Sequence, residues 1–97
     1  MAAYPLAPSP WGNGTSLGIA ASTVVKAAPG VVITVAVTTA GTTAGAVYDA
    51  AATNGNIAAN LVASLPNTVG LYQIGFPCVT GILIVPGSGQ VVSVAYA

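Results

Sequence analysis

Three side chains in this 97-residue sequence are equipped for ionic or nucleophilic chemistry: Lys26, Asp49 and Cys78, the only cation, the only carboxylate and the only thiol. There is no histidine. General acid–base catalysis draws on histidine, paired carboxylates or a lysine of displaced pKa, and a single subunit supplies no such pair. Zinc needs clustered Cys, His or carboxylate ligands and calcium a cage of oxygens, several of them charged. No metal, cofactor or enzymatic activity is therefore expected. The stretch Pro86 to Gln90, PGSGQ, is glycine-rich, but it lacks the lysine, the following Ser/Thr and the strand-to-helix setting of a phosphate cradle. Counterion release on nucleic acid takes several Lys or Arg, so Lys26 alone argues against a nucleic-acid partner. Cys78 has no cysteine to pair with, fits a reducing compartment, and reads as a small buried thiol. Lys26 and Asp49 are the one available ion pair, within a subunit or between subunits.

Charged residues make up 2% of the chain and hydrophobic ones 55%, against roughly 25% charged in an average soluble domain. Two surroundings tolerate so little charge, a bilayer and a protein assembly. A membrane helix needs about 20 consecutive apolar residues, whereas the longest apolar stretch, Val31 to Val37, is broken by Thr34. An outer-membrane barrel needs at least about eight strands of about ten residues, more than this chain supplies alone. MAAYPLAPSPW has no basic region ahead of an apolar core and does not read as a signal peptide. Assembly, and no membrane, is the expectation.

The elements that would serve an assembly divide the chain in two. Residues 1–18 read as an extended Pro-rich N-terminal arm, held by Pro5, Pro8 and Pro10. Tyr4, Leu6 and Trp11 stud this arm with large apolar groups and make it a docking strap for a partner. Residues 19–97 read as one antiparallel β-sandwich of about seven short strands separated by turns. Ala28-Pro29-Gly30 predicts a type II turn closing a hairpin, and Pro86 to Gly89 predicts a second one. Period-2 alternation puts Val31, Ile33, Val35 and Val37 on a core face, with Val32, Thr34, Ala36 and Thr38 opposite. That opposite face, small and uncharged, is one that another subunit can cover with little desolvation of polar groups. Asn54-Gly55 marks a turn, NIAANLVAS reads as strand, and TTAGTTAG as a plain loop. In the last third, Tyr72, Ile74 and Phe76 share one side of a strand, and Val92, Val94 and Tyr96 one side of another.

The runs VVKAAPGVVITVAVTTAGTTAGAVYD and TNGNIAANLVASLPNTVGLYQIGFPCVTGILIVPGSGQVVSVAYA together resemble small virion proteins of tailed double-stranded-DNA bacteriophages. The likeness lies in the A-P-G turn, the VYD strand, Leu65-Pro66, the Phe76-Pro77 step before Gly81 to Val85, and the closing V-x-V-x-Y. It covers about Val24 to Ala97 and leaves the arm outside. The resemblance implies a jelly-roll-like sandwich that acts as a capsid cement or decoration protein. Such a protein is made in the host cytoplasm, binds the major capsid protein on the outside of the head, and associates with itself as a dimer or trimer. With so few charges here, the resemblance implies clamping by apolar and main-chain contacts. Two other readings stay open: a different structural virion part, such as a tail or head-fibre protein, or a carbohydrate-binding sandwich using Tyr48, Tyr72 and Tyr96.

Overall fold

A computed structural model describes residues 14–97; Tyr4, Leu6 and Trp11, and so the docking strap, lie outside the described residues. Eight strands follow in order: β1 Gly14–Ile19, β2 Thr23–Lys26, β3 Gly30–Thr39, β4 Gly45–Tyr48, β5 Leu61–Leu65, β6 Gly70–Cys78, β7 Ile82–Val85 and β8 Val91–Tyr96. They form two four-stranded antiparallel sheets, β1-β8-β3-β6 (sheet I) and β2-β7-β4-β5 (sheet II). One core lies between them, as in a β-sandwich. Sheet I gives it Ile19, Val32, Val35, Val37, Val92 and Val94, and sheet II gives it Val47, Leu65, Ile82 and Ile84. β1 takes in Gly14 to Gly18, which the composition places in the arm, because Gly14, Thr15 and Ser16 ladder onto Tyr96, Ala95 and Val94.

Pairing is symmetric about the middle of the chain: β1 with β8, β2 with β7, β3 with β6 and β4 with β5. The pairs β3–β8 and β4–β7 then join these ribbons into sheets. A consequence is that neither expected hairpin forms. Ala28-Pro29-Gly30 carries the chain from β2 in sheet II to β3 in sheet I, and Pro86 to Gln90 carries it from β7 to β8 across the same gap. Gly30 has no positive φ; among the described residues only Gly18, Gly75 and Gly89 do, so the type II geometry is absent. Turn residues specify a reversal without specifying the sheet that receives the next strand. For β7 the decisive feature is that Ile82, Leu83 and Ile84 are all fully buried, a two-sided burial that suits its interior place between β2 and β4.

The alternation in β3 also breaks. Val32, Val35 and Val37 are the buried positions, while Val31 and Ile33 are only half-buried. The ladders with β6 and β8 both shift between Val32 and Thr34, and such a bulge swaps the faces on its two sides. Opposite it, β6 places Ile74 and Gly75 between the partners of Val32 and Thr34, with Gly75 at φ +63. Tyr72 and Ile74 therefore pack on the core, but Phe76, past the bulge, is 45% exposed. On the other edge, β1 bulges between Ser16 and Ile19, where Gly18 has φ +64. Both edges of sheet I are thus kinked, and Pro77 removes a donor from one, the devices by which natural edges resist stray pairing. NIAANLVAS is strand only from Leu61; Ala58–Asn60 is a 3-10 turn, as is Thr53–Gly55 at the expected Asn54-Gly55 reversal. Among the described residues no helix is long and apolar enough to cross a membrane.

Candidate docking surface

The register places both charged residues at the same end of the two sheets. β3 begins there at Gly30 opposite Cys78, β2 ends at Lys26 opposite Ile82, and β4 ends at Tyr48 opposite Leu61. Asp49 follows directly after β4. Its Oδ2 accepts the Val79 N–H (3.0 Å), and its Oδ1 accepts the Thr80 and Gly81 N–H groups (2.8 and 3.2 Å). The Asp49 N–H itself donates to the Asn60 carbonyl at 2.8 Å. One residue thereby ties the β6–β7 turn to the segment that leads into β5. Desolvation raises its pKa, but the three main-chain donors outweigh it and hold the carboxyl below its ordinary value. Lys26 folds over Gly30, where an added Cβ would lie 2.9 Å from its Cδ and 3.1 Å from its Nζ. An ion pair between Lys26 and Asp49 within the subunit is not part of this arrangement.

Cys78, beside this clamp, is buried. Desolvation first, and the nearby Asp49 charge second, push its thiol up to about 11. Its sulfur has one weak acceptor, the Phe76 carbonyl at 3.9 Å. A thiol so placed is a packing group, since the thiolate is the reactive form. No three potential metal-ligating side chains stand together among the described residues.

Around the clamp the surface is apolar. Ile57, Leu61, Phe76 and Val79 are between 45% and 75% exposed, on the segments that Asp49 and its neighbours join. The 3-10 turn under Ile57 is held by Asn60, whose Nδ2 donates to the Gly55 carbonyl at 2.9 Å and whose N–H donates to the Ile57 carbonyl. Large apolar side chains exposed on strand ends and hydrogen-bonded turns, with Lys26 and Asp49 the only charged side chains at this end, are the make-up of an interface centre, where charged residues are depleted.

A second uncharged surface covers the outer face of sheet I. The register aligns Thr15, Ala95, Thr34 and Gln73 in one row across the four strands, and beside it Ser93, Ala36 and Leu71 in the next. Leu17 and Leu71, both 75% exposed, rise on the two edge strands. Between them the small side chains leave a shallow groove of about 150 Å³. The sequence assigned Thr34 and Ala36 to this face correctly; the groove itself depended on the register between strands, which no local pattern shows.

The opposite end is locked by neutral polar groups. Gln90, fully buried, accepts the Gly87 N–H on Oε1 and donates from Nε2 to the Pro66 carbonyl, both at 3.0 Å. Asn67 exchanges two hydrogen bonds of 2.6 Å with the main chain of Gly41. Thr43 Oγ1 accepts the Ser88 N–H at 2.8 Å, and the Thr42 N–H donates to the Ser88 carbonyl. TTAGTTAG is a loop only over residues 40–44, since Thr38 and Thr39 end β3 and Gly45 begins β4; the loop lies close enough to its neighbours that a Cβ on Gly41 or Gly87 would strike Ser88 or Thr43 main chain. No buried side-chain polar atom among the described residues lacks a partner. Of the tyrosines, Tyr72 and Tyr96 pack against the core in sheet I, while Tyr48 lies in sheet II, so the three share no face. Comparison with protein-family models, with curated proteins and with solved structures finds no match to this chain.

Proposed function

We propose that this protein is a non-enzymatic structural component of a tailed-phage virion, a cement or decoration protein on the outside of the capsid. It would be made in the host cytoplasm. The observation that carries the reading is the apolar end of the sheets, Ile57, Leu61, Phe76 and Val79, exposed around a carboxylate already spent on main-chain N–H groups. A surface of this kind gains by being covered, at roughly 25 cal/mol per Å² of apolar area, and the Asp49 carboxylate at its centre keeps its three main-chain donors when it is. The partners are the major capsid protein and further copies of this chain, in a dimer or trimer. Strand order supports reading the two sheets as a jelly roll: four mirror pairings, β1–β8 through β4–β5, are what a long antiparallel ribbon makes when it rolls up. The arm, with Tyr4, Leu6 and Trp11, leaves β1 at Gly14, which lies at the same end as the apolar group, and adds a strap to the contact.

The test is occupancy on purified capsids after mixing with the intact chain, with a form lacking residues 1–11, and with Val79→Asp, circular dichroism serving as the folding control. The proposal expects reduced occupancy for the truncated form and for Val79→Asp. Equal occupancy for all three, or none for the intact chain, overturns it.

A further inference from the structure

We infer that Trp11, on the chain's own N-terminal segment, seats in the groove on the outer face of sheet I. The groove has Leu17 and Leu71 as walls and Thr34, Ala36, Ser93 and Ala95 as floor. Its volume of about 150 Å³, open to solvent along its length, gives one face of an aromatic ring apolar atoms to lie on. Strand centres favour β-branched and aromatic side chains, yet three of the four floor positions on the interior strands β3 and β8 carry only Ala or Ser, which keeps the space open.

The length of chain and its point of attachment select the occupant. Residues 1–13 join at Gly14, one position before Thr15, which lines the groove. Three residues span at most about 10 Å, so Trp11 is held close to the groove and is the nearest aromatic residue before it in sequence. Gly12-Asn13-Gly14 supplies the residue types that reverse a chain. Neither this segment nor the groove carries a charged side chain, so no ion is desolvated on contact. The tether makes docking intramolecular, with an effective concentration in the mM range for a short link, and a weak contact then suffices. This inference assigns Trp11 to the chain's own groove in place of the partner contact, and leaves Tyr4 and Leu6 as the arm's large apolar groups for a partner. The inference stands independently of the virion reading.

Trp11 is the only tryptophan, so its fluorescence in the full chain is a direct test. Emission shifted to the blue of free tryptophan amide, with several-fold weaker acrylamide quenching, is expected. Ala36→Glu and Ala95→Lys, which fill the floor, should each restore water-like emission and full quenching while circular dichroism is unchanged. Nuclear Overhauser contacts from the indole to the Ala36 and Ala95 methyl groups in the unaltered chain give a second readout should a floor variant fail to fold. Water-like emission in the unaltered chain, protection that survives both floor variants, absence of those contacts, or protection lost on dilution, which marks another copy as the donor, would each overturn the inference.

Discussion

Replacing Asp49 by Asn keeps the shape of the clamp and removes its charge. The carboxylate now accepts three main-chain N–H groups, two on Oδ1 and one on Oδ2. An amide keeps one acceptor oxygen, so Thr80 and Gly81 can retain a partner while the new NH₂ faces the Val79 donor. Hydrogen bonds to a charged group contribute about 1.5–3 kcal/mol each, and neutral ones about half as much. Because this turn is reached by water, which replaces part of the loss, the low end applies, and Asp49→Asn is expected to cost about 2 kcal/mol. In a domain of this size that lowers Tm by about 8–16 °C. The pH dependence supplies an internal check. The folded pKa of Asp49 lies below its ordinary 3.8, so its contribution is complete above that value and is lost as pH falls through the folded pKa. Thermal unfolding followed by circular dichroism should show a wide gap between the two proteins at pH 7 that narrows as pH falls below 3.8 and through the lowered folded pKa. A gap under about 0.5 kcal/mol at pH 7, or one that persists undiminished to pH 2, would refute the clamp; the first lies within the range of an ordinary surface substitution.

Gln90→Leu leaves the Gly87 N–H and the Pro66 carbonyl without their partners; urea unfolding should show a loss of about 3 kcal/mol, from about 1–3 per orphaned group. Cys78 should react with a thiol reagent at pH 8 only as fast as the chain unfolds. Since its folded pKa of about 11 exceeds the ordinary 9.0, the stability tied to it should be complete below pH 9 and fall as pH rises through 11. Two glycine variants separate backbone strain from crowding. Gly75→Ala, at φ +63 with open space around its Cβ, should cost about 1–2 kcal/mol, whereas Gly87→Ala, which drives a Cβ into Thr43 main chain, should cost clearly more in the same assay.

The strands were legible because β-branched runs bounded by Gly, Pro and Asn leave little choice of element. Val92, Val94 and Tyr96 share the core side as their alternation requires. What local pattern could not convey was long-range. Ala28-Pro29-Gly30 has the residues of a hairpin turn, yet β3 finds β6 and β8 in place of β2, because sheet membership is settled by distant partners, 37 and 59 residues away in the ladders of Val35 with Tyr72 and Val94, and one register choice decides every face. The bulge at Val32 to Thr34 inverted half of one strand for the same reason. Asp49 stood out in the sequence by being the only acid, but its partners, Val79 to Gly81, lie thirty or more residues on and are main-chain groups with no sequence signature. Gln90 looked like any polar loop residue; its full burial follows from the meeting of three loops.

The central claim, that the apolar end of the sheets exists to be covered by protein neighbours, is tested most directly by sedimentation of the isolated chain across a wide concentration range, at low salt and at about 1 M, where the screening length is about 3 Å. The account predicts a dimer, trimer or larger species that raised salt leaves intact. A stable monomer at micromolar concentration, or an assembly that salt dissolves, would contradict it.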